Sequence, residues 1–236
     1  KKKSLMFGVC FQNRLNPAVR HLAEAVFAKR FGKITTSTIR LRWCRFQEYY
    51  DDDWHGTWEK DGGVINQQAI HHVDVLRWLM GPVISVCASM ENRINSLEVE
   101  DTMVAILRFA NGALGTIEAT TAARPKDYEA SLSIVGENGI AVIGGVALNK
   151  IEMWDFIDSN PEDFDVKTKY SFDVPNGYGL SHGPLLQSVI DSLKNGDIIP
   201  PISVEESIVT NELIHALYCS IESNGWVDLK SAPISK

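Results

Sequence analysis

The chain has 236 residues, of which 44% are hydrophobic and 22% are charged, and its formal net charge at pH 7 is -7. This length allows one large domain or two small ones, and the hydrophobic fraction is ordinary for a globular protein. The acidic balance argues against a dedicated nucleic-acid binder, and the one dense basic run, Lys1–Lys3, is terminal. No apolar run approaches the roughly 18 to 20 residues that a membrane helix needs.

The four cysteines are scattered along the chain without CxxC spacing; they are Cys10, Cys44, Cys87 and Cys219. Most of them lie in apolar runs, so we expect buried free thiols rather than disulfides or a zinc site. Free thiols are typical of a reducing compartment, and the expected location is the cytoplasm.

The first element is a continuous apolar run at residues 5–11, the pattern of a strand buried on both faces of an α/β sheet. A single strand of this kind has no parallel partner among the later elements of the chain. We therefore expect residues 1–15 to be the remnant of an upstream sheet domain and its hinge, and residues 16–236 to form one further domain.

Asn16-Pro17 has the form of a helix cap followed by proline in the first turn, and helical periodicity continues until Gly32. The period then changes to two, which predicts a strand over residues 33–43.

Residues 40–58 combine arginines and aromatic rings at a density unusual for a connecting segment. Arginines suit phosphate or carboxylate groups, and aromatic rings can stack on a base or a sugar. The same residue types are enriched in subunit contacts. The two interpretations, ligand contact and subunit contact, stay open at this point.

The next element is a helix over residues 68–80, which Gly81-Pro82 ends. Apolar residues recur along it at intervals of three and four: Ala69, Val73, Leu76 and Met80. Gln67, His71 and Asp74 stand at i, i+4 and i+7 and so rise from another side of the helix.

A lone helical histidine is more often structural than catalytic. Two features favour function for His71: the preceding Gly62-Gly63 permits close backbone approach, and the histidine lies within about a turn and a half of that pair. A metal site is disfavoured, because His71 and His72 point roughly 100° apart on a helix and no HExxH or paired-cysteine motif is present.

The rest of the chain predicts a largely antiparallel sheet followed by helices. The predicted strands are residues 83–90, 102–109, 114–121, 132–135, 140–143, 151–156 and 169–174, with two-residue hairpin turns at Asn111-Gly112 and Asn138-Gly139. Helices are predicted at residues 184–193 and 203–222, the second opened by a capping box from Ser203 to Glu206. The fold class is α+β, an open sheet with helices on one face; Val104, Ile106 and Ile117 are assigned to the other face, to be buried against another subunit.

Two further places offer polar groups. Asn13-Arg14 follows the first apolar run, at the kind of strand end where α/β sheets bind ligands, and His182 is flanked by glycines. His182 also suits a helix-capping loop. The sequence has no GxGxxG, P-loop or GxSxG motif, so phosphoryl transfer and serine hydrolysis have no support.

The glycine pair, His71 and Asp74 together resemble the GG-x-L-x-D-x-G-x-H-x-x-D pattern of the glucose-fructose oxidoreductase / inositol dehydrogenase (Gfo/Idh/MocA) family, over nearly the entire chain. The resemblance implies the carboxyl-terminal, substrate-binding and oligomerisation domain of a two-domain dehydrogenase, whose missing Rossmann domain binds NAD or NADP. The family's aspartate four residues before the histidine is Gln67 here, and glutamine cannot ionise. This substitution and the run from Gln12 to Arg14 are similar to a narrower branch, the UDP-N-acetylglucosamine and UDP-N-acetylglucosaminuronate 3-dehydrogenases of surface-polysaccharide synthesis.

The resemblance implies a parent enzyme that oxidises a sugar hydroxyl, with this chain inactive alone and homo-oligomeric in the full protein. His71 would be the general base, and Gln67 its partner in the catalytic pair. Gln12 would contact the cofactor, no metal is expected, and the residues expected to contact the sugar nucleotide are Asn13, Arg14, Arg42, Tyr50, Asn66 and His182. Two alternatives remain: a sugar-binding or assembly module without redox activity, and a zinc hydrolase using His71, His72 and His182.

Overall fold

A computed structural model describes residues 5–229; residues 1–4 and 230–236, which include Lys1–Lys3, lie outside it. The helices are α1 Pro17–Phe27, α2 Ile70–Met80, α3 Val166–Tyr170, α4 His182–Lys194 and α5 Val204–Glu222. The strands are β1 Ile34–Arg42, β2 Val83–Glu91, β3 Thr102–Phe109, β4 Leu114–Thr120, β5 Glu129–Gly136, β6 Gly139–Gly144, β7 Lys150–Phe156 and β8 Val227–Asp228. Short 3₁₀ turns occupy Gln12–Leu15, Gln47–Tyr49 and Pro161–Phe164.

The strands form one open sheet in the order β7-β6-β5-β1-β4-β3-β2-β8. Every neighbouring pair is antiparallel except β1 and β4, which run parallel. Helix α2 packs on β1, helix α5 packs on β2, and α1 packs against α2, so helices cover one face. The predicted α+β class with an open, largely antiparallel sheet is confirmed.

Alternation along β3 separates the two faces of the sheet. Met103 and Leu107 point into the core and are completely buried, whereas Val104 and Ile106 are 51% and 48% exposed on the face without helices. Ile117 is only 1% exposed and pairs with Ala105, so it lies on the helix-covered face. Its assignment to the open face was wrong, because the register places it with the core residues.

Two predicted strands are absent from the described chain. Residues 5–11 make only a single bridge, from Gly8 to Ser203, since no neighbouring strand completes a ladder there. The segment predicted as a strand at 169–174 instead ends helix α3 and continues as irregular chain. Packing overrides its alternating pattern: Val166 is completely buried, and the Tyr170 ring stacks on His21 at a centroid distance of 4.1 Å.

The hairpin predictions were correct in place and wrong in geometry. A two-residue turn of the predicted type needs two positive φ angles, but only Gly112 has one, at 85°. Asn111 instead uses its side chain, which accepts the N–H of Ala113 and donates to the carbonyl of Met80. In the second hairpin Gly136 pairs with Gly139, so Asn138 is a turn residue and Gly139 belongs to the strand.

Helices α1, α2 and α5 match the predicted segments, and Ser203 and Glu206 form the predicted capping box at the start of α5. The cysteines are free thiols, but they are not buried: Cys10 is exposed and the others are partly exposed. Apolar neighbours in sequence do not ensure burial on alternating strands or at a helix surface. Among residues 5–229, no helix is long and apolar enough to cross a membrane.

Candidate active site

A cavity of about 240 Å³ lies at the amino-terminal end of helix α2. Its lining comes from separate parts of the chain: Gln12, Asn13, Trp43, Arg45, Tyr49, Gln67, Gln68, His71, His72, Asp127, Asn176, Gly177, Tyr178 and His182. We call this cavity the α2 pocket. Its volume is below the roughly 300–1,000 Å³ of complete ligand pockets, so it accommodates only part of a larger ligand.

The glycine pair fixes the turn that enters helix α2. Gly62 has φ of +78°, and a side chain at Gly63 would put its Cβ 1.9 Å from Glu100 Oε2. The Glu100 carboxylate accepts the N–H of Ile65 at 3.1 Å and the Tyr218 hydroxyl at 3.1 Å. Glycine is therefore required for the backbone to approach this carboxylate, and the contact sets where Gln67 and the start of α2 lie.

Gln67 and His71 present polar atoms that the described chain leaves unpaired. Gln67 Nε2 donates to the Tyr49 hydroxyl at 2.9 Å, while Gln67 Oε1 and His71 Nδ1 are buried without a partner. Burial lowers the pKa of His71, and the charge of Asp74 only partly opposes this. The imidazole is therefore neutral at neutral pH, the state in which one ring nitrogen can accept a proton.

His72 lies deeper than His71. It is 1% exposed, neither ring nitrogen makes a well-formed hydrogen bond within residues 5–229, and its ring meets Trp43 edge-on at 5.4 Å. Burial, and to a smaller extent the neighbouring His71, lowers the pKa of His72 to about 3. Unpaired buried polar atoms are uncommon in native structures, so their concentration beside a cavity marks a candidate ligand site.

Five of the residues predicted from the sequence line the α2 pocket together. They are His71 and Gln67 from the predicted catalytic pair, with Gln12, Asn13 and His182. They come from the start of the described chain, from the turn into α2 and from the first residue of α4. The fold therefore assembles side chains that are up to 170 positions apart in the sequence.

Arg14 does not line the pocket, because its guanidinium is committed to Asp74. Its Nε and Nη2 donate to the two carboxylate oxygens of Asp74 at 2.7 and 2.8 Å, and Thr210 donates to the same carboxylate at 2.9 Å. Arg14 is 5% exposed and Asp74 is completely buried. Arg14 is therefore held in a structural ion pair outside the lining of the pocket, and Asp74 does not line the pocket either.

The structure also removes Arg42, Tyr50 and Asn66 from the lining of the pocket. Arg42 lies on the open face of the sheet, where it donates to Glu118 at 2.6 Å and to Glu129 at 2.9 Å. The Tyr50 hydroxyl is buried against Thr121 at 2.8 Å, and Asn66 Nδ2 donates to the carbonyl of Asp61 at 2.7 Å. Each side chain is already paired within the chain.

Sequence reasoning missed several lining residues. Trp43, Arg45 and Tyr49 belong to the segment marked for its arginines and aromatic rings, so the signal was present without a choice among its members. Arg45 packs over Trp43 and Tyr49, and its Nη1 donates to Asp127 at 3.0 Å. Asp127 carries no local signal, because only the fold brings it to the pocket.

Within the described residues, no group of three or more histidine, cysteine, aspartate or glutamate side chains is arranged to hold a metal ion.

The chain is similar to known proteins in sequence and in fold. The model of the GFO/IDH/MocA C-terminal domain matches residues 19–142. The WlbA dehydrogenase of Bordetella pertussis, solved with NADH and UDP-GlcNAcA, is 37% identical with a TM-score of 0.88 over 95% of this chain and 64% of that one. Its counterpart from Chromobacterium violaceum, with the same ligands, is 36% identical with a TM-score of 0.86 over 95% of this chain and 63% of that one.

A curated relative, the myo-inositol 2-dehydrogenase of Thermotoga maritima, is 25% identical over 72% of this chain and 50% of its own length. The chain thus spans less than two thirds of the length of each of these proteins. Because the family model covers more than half of its residues, the chain belongs to the Gfo/Idh/MocA family as its carboxyl-terminal domain.

Proposed function

We propose that this chain is the substrate domain of an NAD-dependent oxidoreductase that oxidises a sugar hydroxyl, most specifically C3 of a UDP-N-acetyl-aminosugar or its uronate. The observation that carries the proposal is the pair of unpaired buried atoms, Gln67 Oε1 and His71 Nδ1, beside the α2 pocket. The similarity to two dehydrogenases solved with NADH and UDP-GlcNAcA supports the substrate class. The expected setting is polysaccharide biosynthesis in the cytoplasm.

His71 acts as the general base in this proposal. Its lowered pKa keeps the ring neutral, so it can take the proton of the sugar hydroxyl while hydride leaves the carbon. Gln67 cannot ionise, and its Oε1 orients the sugar as a hydrogen-bond acceptor. Asn13 and His182 line the same cavity and contact the sugar. Bound NAD supplies the hydride acceptor.

The cofactor lies mainly on an upstream dinucleotide-binding domain, with Gln12 contacting it from this chain. The carboxamide of Gln12 lines the pocket and suits the amide of a nicotinamide ring. Beside it runs an apolar groove of about 500 Å³, and Leu5 and Phe7 are 75% and 73% exposed. A second domain docking here would bury these side chains. The preference of the enzyme for NAD or NADP is set by that domain.

The open face of the sheet is the proposed oligomer interface. Val104, Ile106 and Leu114 are each about half exposed on neighbouring strands, a pattern that favours burial against a second copy of the protein. Ile106→Lys in the full-length enzyme should lower the oligomeric mass measured by light scattering. An unchanged mass would remove this face from the proposal.

The test of function uses the full-length enzyme. His71→Asn keeps a polar side chain but loses the base, and we expect turnover of the UDP-sugar to fall by roughly 100-fold or more. His215→Asn is the matched control, since His215 lies on α5 outside the α2 pocket and should leave turnover within about twofold. Equal turnover of His71→Asn and the parent enzyme would reject the role of His71.

A module without redox activity is distinguished by the coding sequence upstream. A glycine-rich GxGxxG fingerprint before this chain favours the dehydrogenase. Binding of UDP-sugars without any reduction of NAD or NADP by the full-length protein would instead favour the sugar-binding module.

A further inference from the structure

Tyr49 is held against the predicted catalytic glutamine by a hydrogen bond with a fixed direction. Gln67 Nε2 lies 2.9 Å from the Tyr49 hydroxyl. An amide nitrogen can only donate, so the phenol oxygen accepts. This contact sets the side-chain amide of Gln67 in one of its two orientations, with Oε1 as the end that remains without a partner in the described chain.

The Tyr49 hydroxyl can also donate one hydrogen bond of its own. Within residues 5–229 no acceptor takes that proton, whereas the hydroxyl of the adjacent Tyr50 pairs with Thr121 at 2.8 Å. Tyr49 and Gln67 together therefore offer one donor and one acceptor beside the α2 pocket. A sugar hydroxyl is the complementary group, because it donates one hydrogen bond and accepts others.

The ring of Tyr49 is fixed by neighbours on several sides. His55 lies against it at a centroid distance of 4.2 Å, and the Arg45 guanidinium lies 5.4 Å from its centroid. His55 is itself held by Asp52, whose Oδ2 is 2.6 Å from His55 Nδ1. A hydroxyl carried on a ring held in this way loses little conformational freedom when a ligand binds, which favours affinity.

We propose that Tyr49 is a positioning residue of the sugar site: it orients Gln67 so that Oε1 accepts from a ring hydroxyl, and it donates its own proton to that hydroxyl. This inference rests on the proposed function of the pocket as a sugar site. A carboxylate at position 67 would accept hydrogen bonds through either oxygen, whereas a glutamine accepts only through Oε1. The contact with Tyr49 therefore allows a glutamine at this position to present its accepting oxygen to the sugar.

The test compares Tyr49→Phe with Tyr50→Phe in the full-length enzyme, with UDP-GlcNAcA and NAD as the probes. We expect Tyr49→Phe to raise the KM for the nucleotide sugar by roughly 10-fold, with a smaller change in kcat and no change in the KM for NAD. Tyr50→Phe removes a hydroxyl that lies outside the pocket lining, so it should lower the melting temperature and leave both KM values within about twofold.

A double-mutant cycle gives the sharper readout. Gln67→Leu removes the acceptor and should raise the KM for the sugar at least as much as Tyr49→Phe does. Because Tyr49 acts partly through Gln67, the increase in the KM for the sugar in the variant with both substitutions should be clearly smaller than the product of the two single increases. A merely structural role for Tyr49 predicts instead that the two effects multiply.

The inference is overturned if Tyr49→Phe and Tyr50→Phe have the same KM for the sugar, or if the effects of Tyr49→Phe and Gln67→Leu multiply. If Tyr49→Phe does not fold, Gln67→Leu decides alone: an unchanged KM for the sugar overturns the inference. An unsubstituted enzyme that oxidises no UDP-sugar would reject the proposed function itself, and it is therefore distinguishable from failure of the role of Tyr49.

Discussion

His72 and Asp74 lie two positions apart on helix α2, and both are almost completely buried, but their surroundings are opposite. The carboxylate of Asp74 accepts hydrogen bonds from Arg14 and from Thr210 at 2.7 to 2.9 Å. The ring nitrogens of His72 have no well-formed partner in the described chain. One side chain is fully satisfied by the fold, while the other lies unsatisfied beside a cavity.

The difference distinguishes a polar side chain that the fold fully pairs from one that the fold leaves unpaired beside a cavity, on the same helix. Burying a polar group costs free energy unless the group is hydrogen-bonded. The unpaired imidazole of His72 therefore lowers the stability of the domain, and a hydrogen-bonded or apolar side chain at this position would stabilise it more. Helix α2 therefore has a side that holds the domain together through Asp74 and a side that keeps polar atoms available to a ligand. Substitutions on the Asp74 side should lower stability and spare activity, whereas substitutions on the His72 side should lower activity and spare stability. Substitutions of Glu100 and Arg42, in polar clusters elsewhere in the domain, show how large these changes in stability are by comparison.

The largest expected effect comes from Asp74→Ala, which would leave the buried Arg14 guanidinium without its main partner. Removing one member of a buried ion pair typically costs about 3–5 kcal/mol, and we expect the free energy of unfolding to fall by that amount. Urea denaturation measures it. Because Asp74 does not line the pocket, the KM for the sugar in the folded enzyme should change little.

A paired replacement controls for this effect. Arg14→Met combined with Asp74→Leu removes both charges and fills the space with apolar side chains, so it should be less destabilising than Asp74→Ala. A double variant as unstable as Asp74→Ala, or an Asp74→Ala protein of unchanged stability, would mean that this ion pair is not what holds α2 in the domain.

His72→Phe should have the opposite character. The substitution removes a buried polar ring without partners, so at pH 7 the free energy of unfolding should stay level or rise, while sugar oxidation by the full-length enzyme falls. Urea denaturation and steady-state kinetics measure the two effects. A large loss of stability at pH 7 would show that His72 is as structural as Asp74.

The pH dependence of the same variant sharpens the comparison. Burial lowers the pKa of His72 to about 3, so below its ordinary value of about 6.5 the unfolded chain binds a proton that the folded chain excludes. Stability is therefore lost as the pH falls from about 6.5 towards 3. We expect His72→Phe to lose less, by about 1.4 kcal/mol for each pH unit in this window.

The fold could be predicted from the sequence wherever one local pattern dominated. The period of two in β1, the periodicity of α2 and the capping box of α5 each specified an element that the structure confirms. The strand predicted at residues 169–174 failed because its side chains pack as the end of a short helix, and Ile117 was misassigned because register is a property of paired strands.

Local sequence patterns predicted the pocket residues on and just before helix α2, but not which arginines are free to bind a ligand. The glycine pair before the helix and the i, i+4 spacing of Gln67 and His71 pointed to these two residues, and both line the cavity. Residue type favoured Arg14 and Arg42 as ligand contacts, but an arginine is free to bind a ligand only when it forms no ion pair with a carboxylate of the same chain. That pairing depends on Asp74 and Glu118, which lie about 60 and 76 positions away.

Glu100 offers a test of the turn that leads into α2. Burial raises the pKa of Glu100 to about 7, from an ordinary value of 4.5. Between these values the folded chain holds a proton that the unfolded chain has released, so stability falls as the pH rises. Glu100→Gln keeps the shape and removes the titration; we expect its stability relative to the parent protein to increase by about 1.4 kcal/mol per pH unit from 4.5 to 7.

Denaturation of both proteins across this pH range measures the difference. The contacts of Glu100 with Ile65 and Tyr218 are available to glutamine, so a uniform loss of stability at every pH would contradict the titration and assign the carboxylate a purely geometric role.

The smallest effect is expected at Arg42, whose ion pairs lie on the open face of the sheet. Its side chain is 41% exposed, although it lies 2.6 Å from Glu118 and 2.9 Å from Glu129. Water and salt screen such pairs, so Arg42→Gln should lower the free energy of unfolding by less than about 1 kcal/mol at low salt, and by less again at high salt. Urea denaturation at the two salt concentrations measures both values. A loss of stability as large as that of Asp74→Ala, and insensitive to salt, would mean that a second copy of the protein buries this cluster. Removing one partner of an ion pair costs that much free energy only where water is excluded from the pair.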